Sequence, residues 1–320
     1  MSPPRRMTLS HVVVLAALLV CSAATLARGA DDVPFTRRQD VVYGRKYGTA
    51  LTLDVFTPKE NPNGAAAIFV VSGGWFSGHE FLDGAGPGFI NELSRRGYTV
   101  FGVVHGSQPK YTIPEVLTDM HRAVRFIRHN AKEYSIDPNR MGIYGGSAGG
   151  HLSLMQGLAG KEGDPASKDP VERESSRVAA VACFYPPTDF LNYGKEGEVA
   201  LGRGTLKDFR APFDFHELDK KTNSFVPVTD EQKILEIGRE ISPINHVSPD
   251  DPPTLIIHGD ADKLVPIQQA QILVKKLTDA GVEAKLVVKP GAGHGWPDQA
   301  KDMPLIADWF DAHLKKPATL

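Results

Sequence analysis

The chain has 320 residues and a formal net charge of −2, from 36 lysine and arginine against 38 aspartate and glutamate side chains. This balance offers no broad basic surface, so neither nucleic acid nor an anionic membrane is an expected partner. Hydrophobic residues make up 41% of the chain and charged residues 23%, which is typical of a globular protein and excludes a disordered or fibrous one.

The first 30 residues have the order of a secretory signal. Arg5 and Arg6 precede an apolar run at residues 12–20, and small residues follow it. The run is shorter than the roughly 20 residues that a membrane-spanning helix needs, so no stable membrane span is expected. We therefore predict a signal peptide at residues 1–30 and a secreted or periplasmic mature protein, with an uncleaved anchor as the alternative.

Short apolar runs predict the strands of a largely buried sheet. Residues 41–43 and 51–56 flank a glycine-containing turn and predict an antiparallel hairpin at a sheet edge. The later runs are continuously apolar, as in strands that are buried on both faces. They lie at residues 65–71, 98–104, 141–144, 178–185, 254–257 and 284–288.

Amphipathic helical patterns alternate with these strands. They begin near Ile113, Ala270 and Ile306, and their spacing predicts helices that pack one apolar face on the sheet. The alternation predicts a mostly parallel sheet with helices on both faces, whose active site lies at the carboxyl ends of the strands. Residues 190–246 interrupt the rhythm and predict an inserted cap, with a disordered loop as the alternative.

The strongest motif is Gly-Gly-Ser-Ala-Gly-Gly at residues 145–150, which follows a predicted strand and precedes a helical stretch. It contains G-x-S-x-G, the pattern of a tight strand-to-helix turn that exposes a serine hydroxyl above the sheet. No lysine follows as a phosphate-binding loop would require. We therefore predict that Ser147 is a nucleophile.

A nucleophilic serine needs a base and an acid that orients the base. Both occur downstream in the chain order serine, acid, histidine that G-x-S-x-G enzymes use. Asp260 and Asp262 follow a buried strand, and His294 stands in a glycine-rich loop after the last strand. We predict His294 as the base and Asp262 as the acid, with Asp260 as the alternative acid. His258, at the end of that buried strand, is interpreted as structural.

Backbone amides must also stabilise the oxyanion of an acyl-transfer reaction. Residues 72–75 read Ser-Gly-Gly-Trp after the first buried strand, and we predict that the amides of Gly73, Gly74 and Ala148 form the oxyanion hole. No metal-ligand spacing or dinucleotide motif is found, so no metal and no cofactor is expected. Three histidines and an arginine on predicted helices are interpreted as surface or capping residues: His121, Arg122, His129 and His151.

The chain resembles the esterase and lipase branch of the α/β-hydrolase superfamily, near the hormone-sensitive-lipase-like and kynurenine-formamidase-like enzymes, which include feruloyl and acetyl esterases. The likeness covers residues 40–315 and is most specific at 133–152, which include the serine motif, at the helix 114–128, and at the acid loop His-Gly-Asp-Ala-Asp-Lys-Leu-Val-Pro, 258–266. It implies an α/β-hydrolase fold and a triad of Ser147, Asp262 and His294. One departure is Ser72, which stands where that group usually has the histidine of a His-Gly-Gly-Gly motif.

The function that this resemblance implies is hydrolysis of a carboxylic ester through an acyl-enzyme. Small acyl or carbohydrate-linked esters are the expected substrates. Two alternatives stay open from the sequence: a serine peptidase or amidase, because prolyl-oligopeptidase-type enzymes share this core, and a non-catalytic binding protein on a hydrolase fold.

Overall fold

The computed structural model describes residues 33–84 and 86–315 of the chain. The strands within these residues are β1 (Phe35–Lys46), β2 (Thr49–Pro58), β3 (Ala66–Val71), β4 (Thr99–Val104), β5 (Met141–Gly146), β6 (Ala180–Phe184), β7 (His216–Asp219), β8 (Ser224–Pro227), β9 (Thr254–Gly259) and β10 (Ala284–Lys289). Eight of them form one sheet in the order β1-β2-β4-β3-β5-β6-β9-β10. The β1-β2 and β2-β4 pairs are antiparallel and all other neighbours are parallel.

The helices cover both faces of this sheet. They are α1 (His79–Asp83), α2 (Gly86–Arg95), α3 (Ile113–His129), α4 (Ala148–Leu158), α5 (Glu231–Glu240), α6 (Gln268–Asp279) and α7 (Met303–Leu314). One hydrophobic cluster packs α3, α4 and α6 against the sheet, and a second packs α2 and α7 against the opposite face. The predicted mostly parallel sheet with helices on both faces is thereby confirmed.

The last predicted strand differs from the expectation in its burial. β10 lies at the far edge of the sheet, where it pairs with β9 alone. Every side chain along it is exposed or only partly buried, and Val288 is 43% exposed. The prediction that it is buried on both faces is wrong, because a run of apolar letters cannot distinguish a central strand from an edge strand.

Residues 190–246, predicted as a cap, contain short 3-10 turns, the antiparallel hairpin β7-β8 and helix α5. The segment packs on the loop that follows β3: the Phe209 ring contacts Gly74, and the Phe213 ring lies 5.2 Å from that of Trp75. Its role as a cap remains a prediction.

No helix in the described residues is both long and apolar enough to cross a membrane. The predicted signal peptide lies outside those residues and also remains a prediction.

Candidate active site

Ser147 occupies the turn between the central strand β5 and helix α4. Its φ is 54°, a region that a side-chain-bearing residue adopts rarely and that is found at functional sites. Glycine at position 149 lets the turn pack closely on β3. A Cβ atom there would lie 2.7 Å from the carbonyl oxygen of Val70, so only glycine fits. The hydroxyl is thus presented at the carboxyl end of β5 and at the N-terminus of a helix.

His294 joins Ser147 to Asp262 in one hydrogen-bonded chain. His294 Nδ1 lies 2.8 Å from Asp262 Oδ2, and His294 Nε2 lies 2.8 Å from Ser147 Oγ. A carboxylate only accepts hydrogen bonds, so Nδ1 carries the proton and donates a hydrogen bond to Asp262. Nε2 is then an acceptor for the Ser147 hydroxyl, which is the tautomer that a general base requires.

Asp262 is held as a carboxylate. Burial disfavours its charge, but hydrogen bonds from His258, His294 and the Val265 amide outweigh burial and hold the pKa of Asp262 well below its ordinary value. Its second oxygen, Oδ1, accepts from the amides of Leu264 and Val265, both at 2.9 Å. The side chain is therefore fixed in position and ionised throughout the neutral pH range.

Asp260, the alternative acid, has another partner. Its Oδ1 accepts a hydrogen bond from the Gly291 amide at 2.6 Å, which ties the loop after β9 to the loop that carries His294. His258 is fully buried, and its Nε2 lies 2.8 Å from the Val265 carbonyl oxygen and 3.4 Å from Asp262 Oδ2. The structure therefore brings Asp262 to His294 and gives Asp260 and His258 supporting contacts.

Tyr185 is a site residue that the sequence did not indicate. It follows β6 with a φ of 36°, and its ring centroid lies 4.5 Å from that of His294. Its hydroxyl donates to Gln299 Oε1 at 2.7 Å, and burial raises the pKa of Tyr185 to about 12. The ring thus forms a fixed wall beside the imidazole. Its only sequence signal is its position at the end of a parallel strand, where site residues collect.

The loop after β3 forms a tight turn with its amides in different states. Gly74 and Trp75, the two central residues, have φ of 55° and 61°, as in a type I′ turn. The Gly73 amide donates to the Phe76 carbonyl at 2.9 Å. Because this N–H is used inside the turn, it is not free to serve as the oxyanion donor that the sequence predicted. Within the described residues, the amides of Gly74 and Ala148 have no hydrogen-bond partner.

Two buried histidines form hydrogen bonds with side chains of this loop. The Trp75 indole N–H donates to His151 Nδ1 at 3.1 Å, and His151 Nε2 lies 2.7 Å from the Ile241 carbonyl. His105 Nε2 accepts from the Ser72 hydroxyl at 2.9 Å. Burial lowers the pKa of both histidines to about 4, so each is a neutral ring. The interpretation of His151 as a surface or capping residue is wrong, since α4 is buried on every side.

One group of possible metal ligands occurs in the described part of the chain, although the sequence predicted none. Oxygen and nitrogen atoms of Asp40, Asp54 and His79 lie within 4.8 Å of one another. Arg37 Nε donates to Asp54 Oδ2 at 2.7 Å, and the guanidinium already supplies a positive charge there. The group is therefore an ion-pair network that joins β1 and β2 to α1, away from Ser147.

The parallel sheet, the strained serine turn after β5 and the acid and histidine loops after β9 and β10 define an α/β-hydrolase. The chain belongs to the BD-FAE family, whose model matches residues 53–277. The resemblance to the esterase branch of the α/β-hydrolases is thereby confirmed.

Relatives with curated descriptions include several esterases and one uncharacterized peptidase, YuxL of Bacillus subtilis. The probable carboxylic ester hydrolase LipM of Mycobacterium tuberculosis is 31% identical over 241 residues, which cover 74% of this chain and 51% of LipM. Esterase LipC of the same organism is 28% identical over 265 residues, covering 82% of this chain and 60% of LipC. The chain thus spans little more than half the length of these relatives.

Among solved structures, a truncated carbohydrate esterase from gut microbiota is 28% identical and superposes with a TM-score of 0.72. The match covers 88% of this chain and 98% of that structure. The fold is therefore shared over nearly the whole of that truncated chain.

Proposed function

We propose that the protein hydrolyses carboxylic esters through a covalent acyl-enzyme. The observation that carries this proposal is the hydrogen-bonded chain from Ser147 through His294 to Asp262, with both links at 2.8 Å. The descriptions of LipM and LipC as ester hydrolases support it.

In the proposed first half-reaction, Ser147 Oγ attacks the ester carbonyl carbon while its proton passes to His294 Nε2. The imidazolium that forms is stabilised by the ionised Asp262. The carbonyl oxygen gains the negative charge and binds the amides of Gly74 and Ala148, each worth about 3 kcal/mol in related sites. His294 then returns its proton to the leaving alcohol, which leaves an acyl group on Ser147.

In the second half-reaction a water molecule takes the place of the alcohol. His294 removes its proton, the hydroxyl attacks the acyl carbon, and the carboxylic acid leaves as Ser147 regains its proton. Proton transfers are thus handled by a single imidazole, and no step calls for a metal or a cofactor.

We further propose short acyl groups, on small or carbohydrate alcohols, as the substrates. The Phe209 ring lies directly on Gly74, with ring carbons 2.7 and 2.9 Å from where a Cβ would stand, so a bulky acyl chain has little room beside the turn. The name of the carbohydrate esterase with the similar structure supports the alcohol part of the proposal.

A panel of p-nitrophenyl esters and matched p-nitroanilides tests both parts. We expect kcat/KM to be highest for acetate and to fall at least tenfold by octanoate, with no turnover of the acetyl anilide. Anilide or peptide turnover comparable to that of the ester would instead favour the peptidase alternative. Equal rates from acetate to octanoate would reject the short-acyl proposal.

Trp75→Phe tests whether the indole holds the oxyanion turn. The change replaces the buried indole by the smaller phenyl ring, removes the N–H that donates to His151 and leaves a buried imidazole nitrogen unpaired, which alone costs about 1–3 kcal/mol. We expect kcat to fall at least tenfold with KM little changed. The Gly74 amide would no longer point at the oxyanion, and that charge exists only in the transition state and not in the bound substrate.

Trp309→Phe is the matched control for this change. The Trp309 indole N–H is also a hydrogen-bond donor, here to the carbonyl of Pro253, but it lies in α7 on the other face of the sheet. It should leave both constants within a factor of two. A Trp75→Phe variant with the kinetics of the wild type would show that the indole bond serves only folding.

A further inference from the structure

Two exposed aromatic rings meet at the tips of two hairpins. Tyr47 is 57% exposed in the β1-β2 turn, and Phe225 is 46% exposed on β8 of the β7-β8 hairpin. Their ring centroids lie 5.3 Å apart and the rings are nearly perpendicular, at 83°. Leu218, opposite Phe225 on the same face of the hairpin, adds a third exposed apolar side chain. We call these three residues the aromatic platform.

The Tyr47 ring is held in place. Its φ of 45° is unusual for a bulky residue, and a turn at this position ordinarily uses asparagine or glycine. The ring stacks on Tyr111 at 6.5 Å, and Tyr111 is itself fixed by a 3.0 Å hydrogen bond to Thr49 and by the Lys46 ammonium 3.9 Å from its centre. An exposed ring that is strained and braced in this way is a feature that folding alone does not require.

The platform lies at the same edge of the sheet as Ser147. β2 runs antiparallel to β4, and Thr52 pairs with Val104 at the carboxyl end of β4, so the β1-β2 turn extends beyond that end. Only β3 and β4 separate β2 from β5, which carries Ser147 at its own carboxyl end. With about 4.8 Å between neighbouring strands, the platform stands roughly 15–20 Å to the side of the serine.

The size of the platform argues against a protein partner. Aromatic side chains present about 150–250 Å² each, so two that are half exposed, with one leucine, offer roughly 200–300 Å². A stable interface needs about 800 Å² on each partner. One or two sugar rings fit the smaller area, because the C–H face of a pyranose packs on the electron-rich face of an aromatic ring. Polar groups lie close by: Lys110 Nζ donates to Thr49 Oγ1 at 3.1 Å and lies 5.2 Å from the centre of the Tyr111 ring, on which Tyr47 stacks.

We propose that Tyr47 and Phe225 form a distal subsite for a saccharide chain whose ester group reaches Ser147. The proposal rests on the ester hydrolysis proposed above and specifies its substrate as an esterified oligosaccharide or polysaccharide. A separation of roughly 15–20 Å corresponds to three or four sugar units, so the subsite engages only chains of at least that length.

Tyr47→Asn and Phe225→Thr are the test variants. Asparagine suits the positive φ of the turn and threonine suits an exposed strand, so each change removes a ring while keeping the backbone. Phe81→Gln, a substitution of an exposed aromatic residue of α1, is the matched control. The kinetic probes are acetylated xylo- and manno-oligosaccharides of two and six units and p-nitrophenyl acetate.

For each test variant we expect KM for the six-unit substrates to rise about tenfold. The kcat for those substrates and all constants for the two-unit substrates and p-nitrophenyl acetate should be unchanged. The control should match the wild type throughout. If both variants handle the six-unit substrates like the wild type, the subsite does not exist.

A binding measurement tests the saccharide subsite independently of ester hydrolysis. Calorimetry of the Ser147→Ala protein with deacetylated six-unit oligosaccharides should give an affinity that Tyr47→Asn weakens about tenfold. If Ser147→Ala keeps its esterase activity, the proposed function fails while this binding result still decides the subsite. A wild-type dimer in sedimentation that Tyr47→Asn dissociates would instead identify the platform as an interface between copies and overturn the proposal.

Discussion

Ser147→Ala is expected to lower kcat for p-nitrophenyl acetate by a factor of about 10⁴–10⁶. In the proposed mechanism, Ser147 Oγ is the protein atom that forms a covalent bond to the substrate, and His294 Nε2 lies 2.8 Å from it. Alanine removes the nucleophile but leaves the oxyanion amides and the binding surface, so KM should change little. Steady-state assays with purified variant and a single-turnover measurement of acyl-enzyme provide the check.

Ser153→Ala is the matched control for this substitution. It makes the same chemical change in α4, the helix that follows Ser147, at a buried hydroxyl that donates to the Gly149 carbonyl at 2.7 Å. We expect this variant to lose stability, by about 1 kcal/mol, and to keep its kcat within a few-fold. A Ser147→Ala protein with more than a hundredth of the wild-type kcat, folded by circular dichroism, would contradict the acyl-enzyme mechanism.

The parts of the fold that the sequence predicted are those with local signals. Apolar runs of six or so residues marked the strands, and amphipathic spacing marked α3, α6 and α7. The strand-turn-helix context of Ser147 and the order of acid and histidine loops followed from the same patterns. Apart from the chain order of these loops, each such signal is contained within about twenty neighbouring residues.

The features that sequence reasoning missed depend on contacts between distant segments. The Trp75–His151 bond joins residues 76 positions apart, and the ring of Tyr185 meets that of His294 across more than 100 positions. Whether the Gly73 amide is free depends on the turn type, which two positive φ values decide and the letters Gly-Gly-Trp do not. Histidine is intermediate between typical core and typical surface residues in its burial, so the residue type could not indicate that His151 is buried.

The two aspartates of the acid loop give the second large prediction. Asp262→Asn should lower kcat by about 10⁴. An asparagine at this position can still accept the amides of Leu264 and Val265 through Oδ1, so the loop keeps its shape. Its NH₂ group, however, would donate to His294 Nδ1 and move the ring proton to Nε2. The imidazole then cannot accept the Ser147 proton, and no carboxylate stabilises the imidazolium.

Asp260→Asn makes the same chemical change two residues away and separates this charge effect from loop geometry. The new amide side chain retains an acceptor oxygen for the Gly291 amide, which is the contact that Asp260 makes. We therefore expect kcat to fall less than about threefold, with a small loss of thermal stability.

Both variants should be assayed from pH 6 to 9. The low pKa of Asp262 keeps the wild-type carboxylate ionised throughout this range, and the amide of Asp262→Asn does not titrate, so no pH in the range should restore the wild-type tautomer to that variant. If the substitution of Asp260 proved the more damaging with both proteins folded, Asp260 rather than Asp262 would be the acid, and the His294 loop would have to move during the reaction to meet it.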